Sequence, residues 1–368
     1  MAGIPDKIQT WQMVQPTVYN RETKETIPGK LEKKEIPVPE LKAGEVLVEV
    51  AGCGVCHTDL GYFYDGVPTV SKPPLTLGHE ISGTVVAGDP KWIGKEVIVP
   101  AVMPCRQCIL CKTRRGNRCL DQKMPGNSIG IYGGFSSHIP VPGIDLCEVK
   151  GRGNIPLSHL AVVADAATTP YQAAKRADLQ PGDNVVVIGI TGGVGQYVGQ
   201  TAKALGAKTV IGIARNQEKL DRALKFGADF VINSKDKDLK AVSTEFKDIC
   251  KKNGLPNFGW KIFEVTGAKG GQEIALSLLG FIGKLIVVGF GMAKTEYAIG
   301  RLMAFDAEII GTWGCLPEYY PIVLDMVLKG KINIESFVEV RPMSSIASTF
   351  AEAHKVPPMK RIVLTPDF

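Results

Sequence analysis

What this chain lacks narrows it first. No apolar run approaches the roughly 20 residues that a membrane-crossing helix needs, so no membrane partner is expected. The polar, mixed stretch Met1–Gln15 has neither the apolar core nor the small-residue cleavage site of a secretory leader. A cytoplasmic location is therefore the expectation. Charge is not lopsided either: 43 Lys plus Arg against 37 Asp plus Glu leave a scattered +6, too little to argue for a nucleic-acid partner. Low-complexity segments and internal repeats are absent. With 45% hydrophobic and 22% charged residues, the composition excludes global disorder and fits a soluble globular protein.

At 368 residues the chain is long enough for two domains, each with its own core. From about residue 30 to 160, short β-rich pieces such as Glu45–Val50, Ile81–Val86 and Glu96–Val99 are separated by Gly and Pro, predicting a compact antiparallel or barrel-like domain. Beyond Asp165 strands and helices alternate. Val185–Ile188, Thr209–Ile213, Phe230–Ile232, Trp260–Glu264 and Lys284–Val288 read as buried strands, with helices between them. Continuous apolar strands in βα units predict a doubly wound parallel sheet. The organisation expected is 1–165, then 166–310, then a return of 311–368 to the first domain, with Arg361–Leu364 as a last strand.

Gly189-Ile-Thr191-Gly192-Gly193-Val194-Gly195 stands between the first strand of the second region and its helix. Glycines there permit a tight turn and let backbone N–H groups approach a pyrophosphate, whose charge suits a helix N-terminus. About 20 residues on, where an acid would hold the ribose 2′-hydroxyl of NAD, stand Ala214 and Arg215. That pair leans toward NADP, whose 2′-phosphate Arg215 can meet, unless Arg215 stacks on adenine or points to solvent.

Six of the nine cysteines fall into two groups with metal-ligand spacing, which favours zinc over disulfides in a cytosolic chain. Cys105, Cys108, Cys111 and Cys119 can close a tetrahedral four-thiolate shell, the form of a structural zinc. The basic residues among them, Arg114, Arg115 and Arg118, form either a solvated face or an anion subsite. Cys147, Cys250 and Cys315 are isolated and read as buried hydrophobes.

The second group is mixed: Cys53-Gly-Val-Cys56-His57-Thr58-Asp59, then Gly78-His79-Glu80. A catalytic zinc takes about three protein ligands and keeps one position open. Cys56 and His79 are the first candidates, Glu80 adjoins them and Asp165 stands at the domain junction. Cys53 is ambiguous, since Cys53 and Cys56 can also form a dithiol. Asp59 can accept from the second nitrogen of His79, and Thr58 can carry a proton from the substrate. Tyr62, Phe63 and Tyr64 line a ring-sized pocket or pack in the core.

These motifs together, with Phe226-Gly-Ala-Asp229, resemble the zinc-containing medium-chain alcohol dehydrogenases over nearly the whole chain. The resemblance implies a GroES-like catalytic domain interrupted by a Rossmann domain, two zinc ions per chain, and a homo-oligomer, dimer or tetramer. It implies Cys56 and His79 as catalytic zinc ligands, Asp165 in the place of a third Cys or Glu, and Glu80 as an alternate ligand. Thr58 would pass the proton, while His57 and Arg361 would contact the cofactor phosphates. Gly61 departs from the pattern, standing where several members carry a histidine at the end of the proton relay. A narrower similarity, to dehydrogenases of cyclic hydroxy-acyl-CoA thioesters, implies NAD as oxidant, an acyl-CoA substrate and 1,4-reduction of enones as a side activity. Zinc-free quinone and enoyl reductases share the glycine loop but usually lack the four-cysteine lobe and the Cys56, His79 pair.

Overall fold

The computed structural model describes residues 5–20 and 22–368; residues 1–4 of the Met1–Gln15 stretch lie outside them. The chain divides into two compact units, Met1–Thr168 with Gly314–Leu328 and Ile334–Phe368, and Thr169–Trp313 with Lys329–Asn333.

In the first unit, Glu45–Gly54 is the central strand. It pairs antiparallel with Glu80–Gly88, His138–Pro142 and Arg361–Thr365. Glu96–Val99 and Cys147–Glu148 extend the sheet on one side, and Val338–Pro342 lies parallel to the final strand on the other. Val46, Val48, Val50, Ile81, Val85, Val97 and Val99 share one hydrophobic cluster with Phe135, Phe350 and Leu364. Residues i and i+2 of a strand face the same side, so this alternation is what closes the sheet around a core. A separate three-stranded sheet, Lys7–Gln15 between Lys30–Pro37 and Leu75–Thr76, begins the unit earlier than the β-rich pieces near residue 30 predict, and Lys30–Pro37 is its second strand in chain order. Its second strand, Lys-Leu-Glu-Lys-Lys-Glu-Ile-Pro, is mostly exposed, so hydrophobic patterning gave it little signal.

In the second unit, the strand order is Phe230–Asn233, Thr209–Ala214, Asn184–Ile188, Lys261–Glu264, Lys284–Val287, Glu308–Gly311, all parallel. Both faces are covered. Val185 and Val187 enter one cluster with Val198 and Val210, while Val186 and Ile188 enter another with Ile211 and Val242. Burial on two sides is why these strands read as continuous apolar runs. The order reverses beside Asn184–Ile188, and the crevice at the carboxyl ends of strands flanking such a reversal is where doubly wound sheets take ligands. Among the described residues no helix is long and apolar enough to cross a membrane.

Candidate metal centres and nucleotide loop

Cys56 is the residue just before the helix His57–Tyr64, and Asp59 in that helix holds the surrounding backbone in place. One Asp59 oxygen accepts from Cys56 N and the other from Gly78 N, both at 3.0 Å. The carboxylate therefore ties the Cys56 turn to the segment that carries His79. Asp59 Oδ1 also lies 3.4 Å from His79 Nδ1, an ion-pair distance without hydrogen-bond alignment.

Four side chains converge here. One ligand atom each from Cys56, His79, Glu80 and Asp165 falls within a 4.8 Å group, and all four belong to the first unit. Asp165 Oδ2 is 3.6 Å from His79 Nε2 and 3.8 Å from Cys56 Sγ. A tetrahedral zinc shell with bonds of about 2.0–2.3 Å sets neighbouring donors roughly 3.5 Å apart, so these three side chains suit the ion in chemistry and spacing. His79 is buried, which opposes its charge, but Asp59 and Asp165 outweigh burial and hold its pKa well above the ordinary value.

Glu80 is committed elsewhere. Its Oε2 accepts from Arg361 Nε at 3.0 Å and its Oε1 from Arg361 Nη2, and both residues are buried. Burial raises the Glu80 carboxyl, against the pull of Arg361. Cys53 is a fully buried free thiol, outside the four-residue cluster, and burial pushes it well up. Thr58 is half-buried with its hydroxyl 3.6 Å from Cys56 Sγ, and His57 is exposed. Gly61 packs toward Val67, whose Cγ2 would lie 3.3 Å from an added Cβ. Tyr62 and Phe63 are buried in the main core, with Asn127 Nδ2 donating to the Tyr62 hydroxyl at 2.6 Å. The pocket-lining alternative for these two gives way to packing.

Cys105, Cys108, Cys111 and Cys119 form the second cluster, all free thiols. Sulfur separations are 3.5 Å for Cys108–Cys111, 3.8 Å for Cys108–Cys119 and 4.0 Å for Cys105–Cys111. Zn–S bonds of about 2.3 Å predict roughly 3.8 Å. Backbone N–H groups of Cys105, Cys108 and Asp121 point at sulfurs from 3.2 to 3.4 Å, stabilising thiolates. Backbone N–H groups of Leu120 and then Cys111 bring Cys108 down to about 6. Arg114, Arg115 and Arg118 are exposed around this lobe.

In the second unit, the glycine loop leaves the strand Asn184–Ile188 and enters the helix Gly195–Ala204. Gly189 has φ +88°, and a Cβ at Gly195 would sit 2.0 Å from the Gly189 carbonyl oxygen. Thr191, Gly192, Gly193 and Val194 are partly exposed along the turn. Ala214 is buried at the end of the next strand and Arg215 is exposed after it. Patterning missed Glu264, a buried acid at the carboxyl end of Lys261–Glu264. It accepts from the N–H groups of Thr266 at 2.8 Å and Gly267 at 3.3 Å, and burial raises its pKa. Its only sequence signal is an acid closing an apolar strand.

Family matching agrees with this geometry. Residues 42–151 match the alcohol dehydrogenase GroES-like domain and 193–329 the zinc-binding dehydrogenase domain. An NAD-dependent alcohol dehydrogenase of Sulfolobus acidocaldarius is 30% identical over 82% of this chain and 87% of its own. The chain belongs to the zinc-type medium-chain alcohol dehydrogenases. A sorbitol dehydrogenase of Bombyx mori is 28% identical over 84% of this dehydrogenase and 87% of its own length. The structure of acetophenone reductase from Geotrichum candidum in complex with NAD superposes with TM-score 0.81 at 25% identity, covering 99% of this dehydrogenase and 98% of that chain. Membership makes this dehydrogenase an NAD(P)-dependent oxidoreductase acting on CH–OH groups, with zinc as its metal.

Proposed function

We propose that this dehydrogenase oxidises a secondary alcohol with NAD at the Cys56, His79 and Asp165 cluster. The observation that carries this reading is the convergence of a thiol, an imidazole and a carboxylate at donor spacing, with the Thr58 hydroxyl beside it. When bound, zinc supplies Lewis acidity that lowers an alcohol pKa, and nicotinamide supplies the hydride acceptor. The chain does the rest. Thr58 accepts the substrate hydroxyl proton as its own hydroxyl proton passes on to water, Asp59 fixes the two backbone segments that present Cys56 and His79, and Arg361 engages Glu80, a reserve ligand at the edge of the cluster. Gly189 to Gly195 hold the pyrophosphate. The second cysteine cluster holds a structural zinc that keeps its lobe folded.

The substrate we propose is a cyclic hydroxy-acyl-CoA. The sequence is similar to 6-hydroxycyclohex-1-ene-1-carbonyl-CoA dehydrogenase of anaerobic aromatic degradation, whose product is the 6-oxo enone. A net charge of +6 suits the CoA polyanion, and an enone product also permits 1,4-reduction in reverse. The same reading includes a homo-oligomeric state. The absence of an acid at Ala214 weakens selection for NAD over NADP without barring NAD. A polyol is the second substrate class, favoured by the similarity to sorbitol dehydrogenase.

Initial rates with NAD and NADP against cyclic hydroxy-acyl-CoA thioesters, polyols and simple secondary alcohols test the substrate. The expected result is a kcat/KM at least 100-fold higher for a thioester than for any polyol; the reverse order overturns the acyl-CoA reading. The metal reading is tested by stripping the catalytic cluster while the four-cysteine site stays loaded. Oxidation should vanish, and an undiminished rate refutes it.

A further inference from the structure

Asp165 has an unusual support. It follows the 3-10 helix Leu157–Ala164 with φ −144° and ψ −57°, outside both the helical and extended regions. A helix end leaves carbonyls without intrahelical partners, and the last of them, Ala164 C=O, belongs to the peptide that enters Asp165. The orientation of that peptide decides where the Asp165 side chain is aimed. Fixing the carbonyl therefore fixes the carboxylate.

The group that fixes it comes from the returning segment Gly314–Leu328 of the same unit. The Tyr320 hydroxyl donates to Ala164 O at 2.5 Å and accepts from Ala101 N at 3.0 Å. A hydroxyl can do both at one atom. Tyr320 is fully buried, so neither partner has water as a substitute. Ala101 lies just past the strand Glu96–Val99, which pairs with Glu80–Gly88, Ile81 opposite Val99. The phenol thus links the strand pair next to His79 and Glu80 to the peptide that presents Asp165. Thr168, also fully buried, donates to the Asp165 carbonyl at 3.4 Å and completes the turn.

We propose that the Tyr320 hydroxyl is a positioning group for the catalytic metal, acting through the Ala164 carbonyl on the direction of the Asp165 carboxylate. This rests on the reading of Asp165 as a ligand. Groups that orient metal ligands typically contribute about 10- to 100-fold to metal affinity. Tyr320→Phe keeps the ring and deletes the hydroxyl with its bonds to Ala164 O and Ala101 N and its contact with Thr168.

The test uses the full-length protein with its four-cysteine metal retained, and measures zinc affinity of the other site by competition with a chromophoric chelator. Cobalt substitution adds an absorption spectrum that reports ligand geometry. Tyr320→Phe should bind zinc about 10- to 100-fold more weakly and shift the cobalt bands. In an Asp165→Ala background the same substitution should have no further effect on affinity. A general loss of stability moves neither the cobalt bands of the folded protein nor this coupling. Native affinity and bands in Tyr320→Phe overturn the proposal while leaving Asp165 a ligand if Asp165→Ala still weakens binding. An equal loss in both backgrounds overturns it too. If Asp165→Ala itself leaves affinity unchanged, both the ligand reading and the positioning role fall. Should Tyr320→Phe not fold, 4-fluorophenylalanine incorporated at position 320, which keeps the ring and a weak acceptor but removes the O–H donor to Ala164 O, is read the same way; unchanged affinity and bands there overturn the proposal.

Discussion

Glu80 and Arg361 are an ion pair sealed from water, and such pairs show their strength when one member is removed. Deleting one partner of a buried pair leaves an uncompensated charge and costs about 3–5 kcal/mol. Glu80→Ala should therefore lower the urea midpoint strongly, and Glu80→Gln, which keeps an acceptor for Arg361, should lower it less. If Glu80 is a reserve rather than a resting ligand, purified Glu80→Gln retains its catalytic-site zinc by atomic absorption. A second prediction concerns Gly195, where an added Cβ would meet the Gly189 carbonyl oxygen at 2.0 Å. Gly195→Ala must distort the turn proposed to receive the pyrophosphate, so the dissociation constant for NADH, read by fluorescence, should rise at least 10-fold while zinc content stays at the native level. At this scale the sequence was legible wherever chemistry is local. Cys105 to Cys119 sit within one short loop, and Gly189 to Gly195 within one turn. Arg361 as the partner of Glu80, and Tyr320 as the anchor of Ala164, were not legible. Both act across long sequence separations, and Tyr320 acts on backbone groups that leave no side-chain signature.

Among elements, the parallel strands were readable because burial on two faces makes every position apolar, as in Asn184–Ile188 with four of five residues buried. Glu308–Gly311 was not, because it is a four-residue strand at the sheet edge and mostly exposed. The join between strand Glu96–Val99 and the segment leading to Leu157–Ala164 is electrostatic. Arg152 Nε and Nη2 donate to the two oxygens of Glu96 at 2.7 and 2.8 Å, and Nη1 donates to Ile155 O at 2.9 Å. Hydrogen bonding from Arg152 lowers the Glu96 pKa. A carboxylate with a depressed folded-state pKa stabilises the fold above its unfolded pKa, and the contribution disappears as pH falls through the folded value. Both side chains are about a third exposed, so screening limits the gain to about 0.5–1 kcal/mol. Glu96→Gln should lose that amount at pH 7 and match the parent protein near pH 3, as checked by urea unfolding at both pH values. A deficit at pH 3 equal to that at pH 7 would show that shape, not charge, makes the join.

On the scale of the whole molecule, the candidate ligand sites are divided between the two units. Both candidate metal clusters among the described residues belong to the first, and the glycine loop belongs to the second. Each unit has its own hydrophobic core, one wrapped by the mixed sheet and one lying on both faces of the parallel sheet. A ligand that binds only the folded form stabilises whatever cooperative unit it binds, by about 2.7 kcal/mol at 100 times its dissociation constant. Calorimetry should then resolve two transitions with different sensitivities. Saturating NAD should raise the transition of the second unit by roughly 5–10 °C, since about 1 kcal/mol moves a domain of 150 residues by about 2–4 °C. Chelation should lower the transition of the first unit, because the binding free energy of a metal held only by the folded four-cysteine lobe is lost and the sulfurs take up protons again. Tyr320 sharpens the expectation: Tyr320→Phe should lower the metal-sensitive transition and leave the NAD-induced shift of the other intact. One transition moved equally by NAD and by chelator would mean that the units unfold together and that metal and cofactor act on a single cooperative block.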